Sequence, residues 1–192
     1  MGRSRKYDRI DVLGKAVDLF WRQGYRASSV ADIVHATGMN TASMYKEFGD
    51  KDGLFEEALE HYRLHVLGPR IRMLTDEPNI KGVTAFIESV VKGASGPEYK
   101  GCLMMNHLAQ IHSISPLAAK KIDDFCGAME ELLEAALRNA QERGELPPGN
   151  DPAETASFIM CCVHGLVLYG RHPGKKKQIR KLYDVISRSL QA

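Results

Sequence analysis

The sequence predicts an all-α fold, with a small N-terminal three-helix domain and a larger C-terminal helical domain that forms a homodimer. Apolar residues recur every three or four positions along most of the chain, as amphipathic helices require. Two short helical segments flank a glycine-containing turn at residues 37–39. The segment Phe158–Tyr169 is apolar on nearly all sides, which indicates burial against more than one neighbour. We expect domains at residues 1–50 and 51–192.

Composition indicates a soluble cytoplasmic protein. The chain has 192 residues, of which 44 % are hydrophobic, enough to bury a core. Its longest apolar run, Phe158–Tyr169, is shorter than the roughly 20 residues that span a bilayer, so we expect no membrane association. The N-terminus lacks the apolar segment of a signal peptide. The four cysteines are expected to be reduced in this compartment.

The charge distribution indicates nucleic acid, although the net charge is only +2. Residues 1–46 carry eight Lys and Arg against four acids, whereas residues 47–60 carry one Lys against six acids. Positive charge supplies most of the non-specific affinity for phosphates. The basic arm with Arg3, Arg5 and Lys6 either reaches a minor groove or phosphates, or remains a solvated tail.

The first two helices are predicted from apolar spacing and capping residues. Asp8–Gln23 forms the first, because Val12, Ala16 and Phe20 share one face, and Gly24 ends it. Ser28 or Ser29 caps the second helix, where a hydroxyl often contacts phosphate as well. The apolar stripe expected on this second helix is Val30, Ala31, Ile33 and Val34.

The third helix follows a turn at Gly38, a residue that readily adopts positive φ. Asn40 is placed to cap this helix. Its buried or half-buried side is predicted to be Ala42, Met44, Tyr45 and Phe48, with Asn40, Thr41, Ser43 and Lys46 on the polar side. Together the second and third helices predict a helix-turn-helix, whose second helix enters the DNA major groove.

The remaining chain reads as further helices. A fourth helix is expected over 51–67, capped by Asp50 and ended by Gly68-Pro69. Others are expected near 70–74, 83–91, 101–107 and 116–143, then after Asp151 and over 179–190. An apolar helix at 158–169 beside an amphipathic C-terminal helix fits a homodimer formed through a four-helix bundle.

These motifs resemble the TetR family of bacterial transcription regulators over residues 8–62. The matching stretches are Leu19–Tyr25, then Ser-Ser-Val, Asp-Ile, Thr-Gly-Met, Ser-Met-Tyr, Phe-Gly-Asp-Lys and Leu-Phe. The resemblance implies a repressor that binds a palindromic double-stranded DNA operator and is released by a small-molecule effector. It also implies that the 51–67 helix connects the domains. Thr37, Met39 and Glu47 differ from the family's commoner residues, and we expect these differences to bear on the operator sequence.

The resemblance also assigns candidate contact residues. Base-reading positions are Asn40, Thr41, Ala42 and Ser43, since Asn can bind adenine through two bonds and Thr can offer a methyl to thymine. Backbone contacts are implied for Tyr45 and Lys51. The predicted DNA-binding set is Ser28, Ser29, Asn40, Thr41, Ala42, Ser43, Tyr45, Lys46 and Lys51.

An effector pocket is expected between the middle helices, although Met and aromatic residues at helical spacing more often form an ordinary core. The candidates are Phe86, Cys102, Met104, Met105, His107, Phe125, Met129 and His164. Cys102 follows a glycine at a predicted helix start, which favours thiolate. Gly-Cys-Leu resembles a branch of the family that senses electrophiles or oxidants. The alternative is a small buried residue.

Other functions are weaker alternatives. Cys102, His107, His112 and Cys126 lack the spacing of a metal site, so we expect no metal and no cofactor. No nucleophile–base pair or phosphate loop indicates an enzyme. The alternatives that remain are a thiol-based redox or electrophile sensor repressor acting through Cys102 and a non-specific nucleoid DNA-binding protein. The basic run at 174–181 is either a second nucleic-acid patch or a solvated helix face.

Overall fold

The computed structural model describes residues 7–172, 174 and 176–190, and within these ranges every regular element is a helix. The all-α class is therefore confirmed. The basic arm with Arg3, Arg5 and Lys6, and Lys175 of the basic run, lie outside the described residues. The helices are α1 Arg9–Gln23, α2 Val30–Thr37, α3 Thr41–Phe48, α4 Lys51–Tyr62, a π-helix Arg63–Leu67, α5 Gly68–Asp76, α6 Ile80–Ala94, α7 Leu103–Leu108, a 3-10 turn Ile111–Ser113, α8 Pro116–Glu142, α9 Pro152–Gly170 and α10 Lys176–Ser189.

The chain separates into two compact units. The first contains the chain up to Val66 together with Cys102–Asp123, and the second contains Leu67–Gly101 together with the chain from Asp124 onward. Within the first unit, α1 packs against α2, α4 and α7, and α3 packs against α2 and α4. Within the second unit, α6 packs against α5, α9 and α10. The predicted functional division, with a DNA-binding domain at residues 1–50, remains a prediction.

Aromatic side chains form much of the core of the first unit. Phe20 of α1 is fully buried and meets the edge of Phe55 of α4 at a centroid distance of 5.0 Å. Trp21 meets Tyr62 in a similar edge-on contact, also at 5.0 Å. Such contacts add to the stabilisation that burial of the rings provides. They hold α1 against α4, as the predicted apolar face of α1 requires.

Two local predictions need correction. Of the apolar stripe predicted on α2, only Ile33 is fully buried, and Thr37 is the second buried residue of this helix. The α-helix that begins at Lys51 ends at Tyr62 rather than continuing to Leu67. A π-helical turn follows, and Pro69 then lies in the first turn of α5, where its missing N–H costs nothing.

Side-chain caps begin the helices α8 and α9. The Ser115 hydroxyl accepts the Ala118 N–H at 3.1 Å at the start of α8, and Asp151 accepts the N–H groups of the first turn of α9 at 2.9 Å. By length and composition α9 would suffice to cross a membrane, as the one such helix among the described residues. Core helices of soluble proteins pass the same test.

Candidate nucleic-acid interface

The turn between α2 and α3 is built from a glycine and two buried side chains. Gly38 has φ of +73°, the left-handed conformation that residues with a Cβ rarely adopt, and its N–H bonds to the Val34 carbonyl at 3.0 Å. The Thr37 hydroxyl donates to the Ile33 carbonyl at 2.7 Å, and Met39 is only 4 % exposed. Thr37 and Met39 therefore face the protein interior and fix the turn.

The exposed face of α3 is polar, with a correction to the predicted buried side. Met44 and Phe48 are buried, whereas Ala42 is exposed and Tyr45 is 47 % exposed. At about 100° per residue, Ala42 lies nearly opposite Met44 on the helix. The face available to a partner therefore carries Thr41, Ala42, Tyr45 and Lys46.

The side-chain oxygen of Asn40 already accepts a hydrogen bond within the protein. Its Oδ1 accepts the Ser43 N–H at 2.8 Å and so caps α3. Two-bond recognition of adenine requires both the amide oxygen and the amide nitrogen. The amide oxygen can accept a second hydrogen bond through its other lone pair, while the amide nitrogen donates one. Asn40 is exposed, so capping and base recognition would share a single residue.

The two candidate serines lie in different environments. Ser29 is exposed and caps α2, since the Asp32 N–H donates to its hydroxyl at 3.1 Å and its own N–H donates to the Asp32 carboxylate at 2.8 Å. The hydrogen bonds from Ser29 lower the pKa of Asp32. Ser28 is fully buried and donates its hydroxyl to the Gly24 carbonyl at 2.8 Å. Its hydroxyl therefore serves the turn after α1.

Lys51 is held at the start of α4 by an aromatic ring. Its Nζ lies 4.3 Å from the centroid of the Tyr25 ring, a cation–π contact. Burial lowers the pKa of Lys51, and the charge of Asp32 opposes that shift. The Tyr25 hydroxyl donates to Asp52, one residue further along α4. The ammonium therefore has a defined direction beside the helix N-terminus.

The end of α3 and the start of α4 approach each other closely at Gly53. A Cβ at this position would lie 2.1 Å from the Phe48 carbonyl oxygen. Asp50 caps α4 by accepting the Gly53 N–H at 2.9 Å. Only a residue without a side chain fits here, so the angle between α3 and α4 depends on this glycine.

Arg9 was missed by the sequence analysis. Its guanidinium pairs with Glu47 of α3 and Glu57 of α4, and it lies 5.1 Å from the Phe48 ring centroid. Tyr7 also donates its hydroxyl to Glu47, at 3.3 Å. Glu47 therefore binds within the first unit. The available signal was the acid Glu47 beside Lys46 on α3, together with an arginine at the start of α1, but the separation along the chain hid the pairing.

The candidate effector residues divide between the units. Cys102, Met104, Met105 and His107 belong to the first unit, whereas Phe86, Phe125, Met129 and His164 belong to the second. Cys102 and His164 are half-buried, and the others are buried. Burial lowers the pKa of His164, and its buried Nε2 has no hydrogen-bond partner among the described residues. The effector pocket stays a prediction.

His107 is buried in the first unit, where both of its ring nitrogens form hydrogen bonds. The ring is 3 % exposed, and its Nε2 accepts the Tyr25 N–H at 3.1 Å. Its Nδ1 lies 2.9 Å from the Leu103 carbonyl, so this nitrogen carries the proton. Burial lowers the pKa of His107, and the bond to Leu103 offsets part of that shift. Within the described ranges no three metal-ligating side chains cluster, at His107 or elsewhere.

Two short helices around a left-handed glycine, with a polar exposed second helix, define a helix-turn-helix DNA-binding protein. Residues 12–58 match the family described as "Bacterial regulatory proteins, tetR family", and residues 80–186 match "Tetracyclin repressor-like, C-terminal domain". The chain belongs to the TetR family and is a DNA-binding transcription regulator. The resemblance to the TetR family that the sequence indicates is thus confirmed.

Similar proteins agree with this assignment. The transcriptional repressor ComR of Escherichia coli is 29 % identical over 184 residues, covering 94 % of this chain and 88 % of ComR. The repressor BdcR of the same organism is 32 % identical, covering 61 % of this chain and 59 % of BdcR. A cysteine variant of the TetR family regulator CifR, solved with a 26-base-pair operator, has a TM-score of 0.80 at 27 % identity and covers 99 % of both chains.

Proposed function

We propose that this protein is a homodimeric repressor that binds a palindromic operator through α3 and leaves it when a small-molecule effector binds. The observation that carries the proposal is the exposed polar face of α3, which is fixed by the Asn40 cap at one end and by the close approach at Gly53 at the other. The repressors ComR and BdcR, and operator-bound CifR, support the same function. We propose a cytoplasmic location and no catalytic activity.

The contact set follows from exposure and chemistry. Asn40, Thr41, Ala42 and Ser43 contact base edges at the N-terminal end of α3, the end that usually reads the major groove. Backbone phosphates are contacted by Ser29, Tyr45, Lys46 and Lys51. Ser28 is omitted from this set because its hydroxyl is buried.

Dimerisation is proposed through α9 and α10. On α9, Phe158 is 45 % exposed and Leu168 is 57 % exposed, and on α10, Val185 is 53 % exposed. A two-fold dimer covers such apolar faces with the same faces of the partner. Two copies of α3 must lie about 34–36 Å apart to enter successive major grooves. An effector releases the DNA if it binds more tightly to a form of the dimer in which the two α3 helices do not have this spacing.

The test is a footprint of the purified protein on its own upstream DNA at stated salt concentrations. We expect a protected site with two-fold symmetry and two half-sites about one helical turn apart. A mutated half-site in the same fragment is the control and should lose protection. Uniform coverage without a discrete site would contradict the proposal and favour the non-specific nucleoid protein.

A second candidate is thiol-dependent release through Cys102. This residue directly precedes α7, the helix whose His107 binds the turn that holds Tyr25. Alkylating the thiol would insert bulk at that helix start. The footprint is therefore repeated with N-ethylmaleimide, using Cys102→Ser as the variant and Cys161→Ser, at an exposed cysteine, as the control. Release in the control but not in Cys102→Ser would establish this candidate, and equal release in both would reject it.

A further inference from the structure

His107 lies far along the sequence from the helix-turn-helix, yet its ring bonds to the backbone of the turn between α1 and α2, just before that motif. The hydrogen bond from the Tyr25 N–H to Nε2 joins residues 82 positions apart. The ring also packs against Phe55 of α4 at a centroid distance of 4.9 Å. Phe55 in turn lies 4.9 Å from the Tyr25 ring centroid. His107 therefore contacts both the backbone of the turn after α1 and an aromatic ring that packs beneath it.

Tyr25 in turn contacts the first two residues of α4. Its ring lies under the Lys51 ammonium, and its hydroxyl donates to Asp52. A shift of the Tyr25 backbone therefore moves the surface on which Lys51 rests. The Tyr25 N–H bond is partly buried, and an N–H that is shielded from water without an acceptor is costly, so loss of the His107 bond favours such a shift.

We propose that His107 is a positioning residue for DNA binding: its neutral ring, held on α7, accepts the Tyr25 N–H and so fixes the platform that directs Lys51 towards a phosphate. This proposal rests on the phosphate contact proposed above for Lys51. The tautomer is the required one, because Nδ1 donates to the Leu103 carbonyl and leaves Nε2 as the acceptor.

Protonation reverses the role of Nε2. The imidazolium carries a hydrogen on both ring nitrogens, so an N–H of the ring would face the Tyr25 N–H, and the bond would be lost. Burial lowers the pKa of His107 in the folded protein. The neutral ring is therefore favoured above the unfolded pKa of about 6.5, and its contribution is lost as the pH falls from there through the folded pKa.

Several charged groups on α1 and α4, the two helices that pack against α7, have partners of their own. On α4, Asp52 accepts from Tyr25 and Glu56 accepts from Ser115 at 2.6 Å. On α1, Arg22 pairs with Asp18 at 2.8 Å. Titration of the ring nitrogen is thus the change that acts directly on the Tyr25 bond.

The first test compares His107→Leu with His112→Gln, a control at an exposed histidine in the neighbouring 3-10 turn. Binding to the operator is measured from low to high salt. We expect His107→Leu to weaken binding about tenfold and to lower the salt slope by about 0.9, the value of one lost phosphate contact. The control should match the wild type. A destabilised but correctly shaped variant would keep the wild-type slope, and that result would overturn the proposal.

The second test uses pH and the variant His107→Gln, whose amide oxygen can accept the Tyr25 N–H but does not titrate. As the pH falls below about 6.5, the ordinary pKa of histidine, wild-type affinity should fall more steeply than that of His107→Gln. All other histidines are the same in both proteins, so their contributions cancel in the comparison. Parallel pH profiles of the wild type and His107→Gln would overturn the proposal. This test does not need His107→Leu, so it also applies if that variant fails to fold.

Lys51→Ala separates this inference from the proposed contact on which it rests. If Lys51→Ala leaves the salt slope unchanged, the phosphate contact itself is wrong. If Lys51→Ala lowers the slope but His107→Leu does not, the contact stands and the positioning role of His107 is wrong. In the double variant we expect the slope of Lys51→Ala alone.

Discussion

The exposed faces of α3 and α9 offer different chemistry to a partner. The eight-residue α3 presents Thr41, Tyr45 and Lys46, whereas the nineteen-residue α9 presents Phe158 and Leu168. Hydrogen bonds to bases and phosphates depend on direction, so a DNA-reading helix must be held at a fixed angle. Apolar burial is non-directional and grows with area. The structure matches this contrast: short-range caps and a close backbone contact fix α3, and length supplies the area on α9.

The largest effect is expected at Gly53, where the fixed angle of α3 depends on the absence of a side chain. In Gly53→Ala the new Cβ would meet the Phe48 carbonyl oxygen at 2.1 Å, so backbone must move. We expect destabilisation of about 3 kcal/mol, which corresponds to a Tm about 6–12 °C lower for a chain of this size, and loss of operator binding.

Gly127→Ala in α8 is the matched control, because within the described residues no atom beyond the neighbouring residues and the adjacent helix backbone lies within 4 Å of the added Cβ. Here the helix should gain about 0.5–1 kcal/mol. Thermal unfolding measured by circular dichroism checks both variants. An unchanged Tm and unchanged operator affinity in Gly53→Ala would show that the angle of α3 does not depend on this contact.

The apolar face of α9 is tested by Leu168→Glu. A charge on this face must be desolvated in the dimer, so the variant should become monomeric and bind the operator about 100-fold more weakly, because it loses the second half-site. Leu117→Glu, at a leucine that is 52 % exposed on α8, is the control. Sedimentation velocity gives the oligomeric state. A dimeric Leu168→Glu protein would place the interface elsewhere.

A smaller effect is expected at Asn40, where capping and base recognition are combined. Asn40→Ala should lose about 1–3 kcal/mol of discrimination at one base pair in each half-site and about 1 kcal/mol of helix stability. Asn40→Ser keeps a capping oxygen and should lose only the discrimination. Affinity for a panel of single-base operator variants, measured together with Tm, separates the two roles. Equal base preference in all three proteins would exclude Asn40 from readout.

Features encoded by neighbouring residues were predictable from the sequence. The bounds of α2 and α3 follow from Ser29, Gly38 and Asn40, which act within about one helical turn. The helix break expected at Gly68-Pro69 was wrong, because proline also fits the first turn of a helix and α5 begins there.

Features that depend on distant residues were not predictable. Arg9 meets Glu47 across 38 positions and His107 meets Tyr25 across 82, and no periodic pattern encodes such pairs. Likewise, the sequence placed Ala42 and Tyr45 on the buried side because they are apolar or aromatic, while α3 is buried only along Met44 and Phe48. An eight-residue helix has too few turns for its apolar residues to define the buried face.

The most direct measurement of the central claim is the salt dependence of operator binding by Lys51→Ala, with Lys81→Ala, a lysine exposed on α6, as the control. If α3 docks in the major groove with Lys51 on a phosphate, Lys51→Ala weakens binding to all sequences alike and lowers the slope of log K against log salt by about 0.9. Lys81→Ala should keep the wild-type slope. An unchanged slope in Lys51→Ala, or an effect confined to base preference, would contradict the proposed docking.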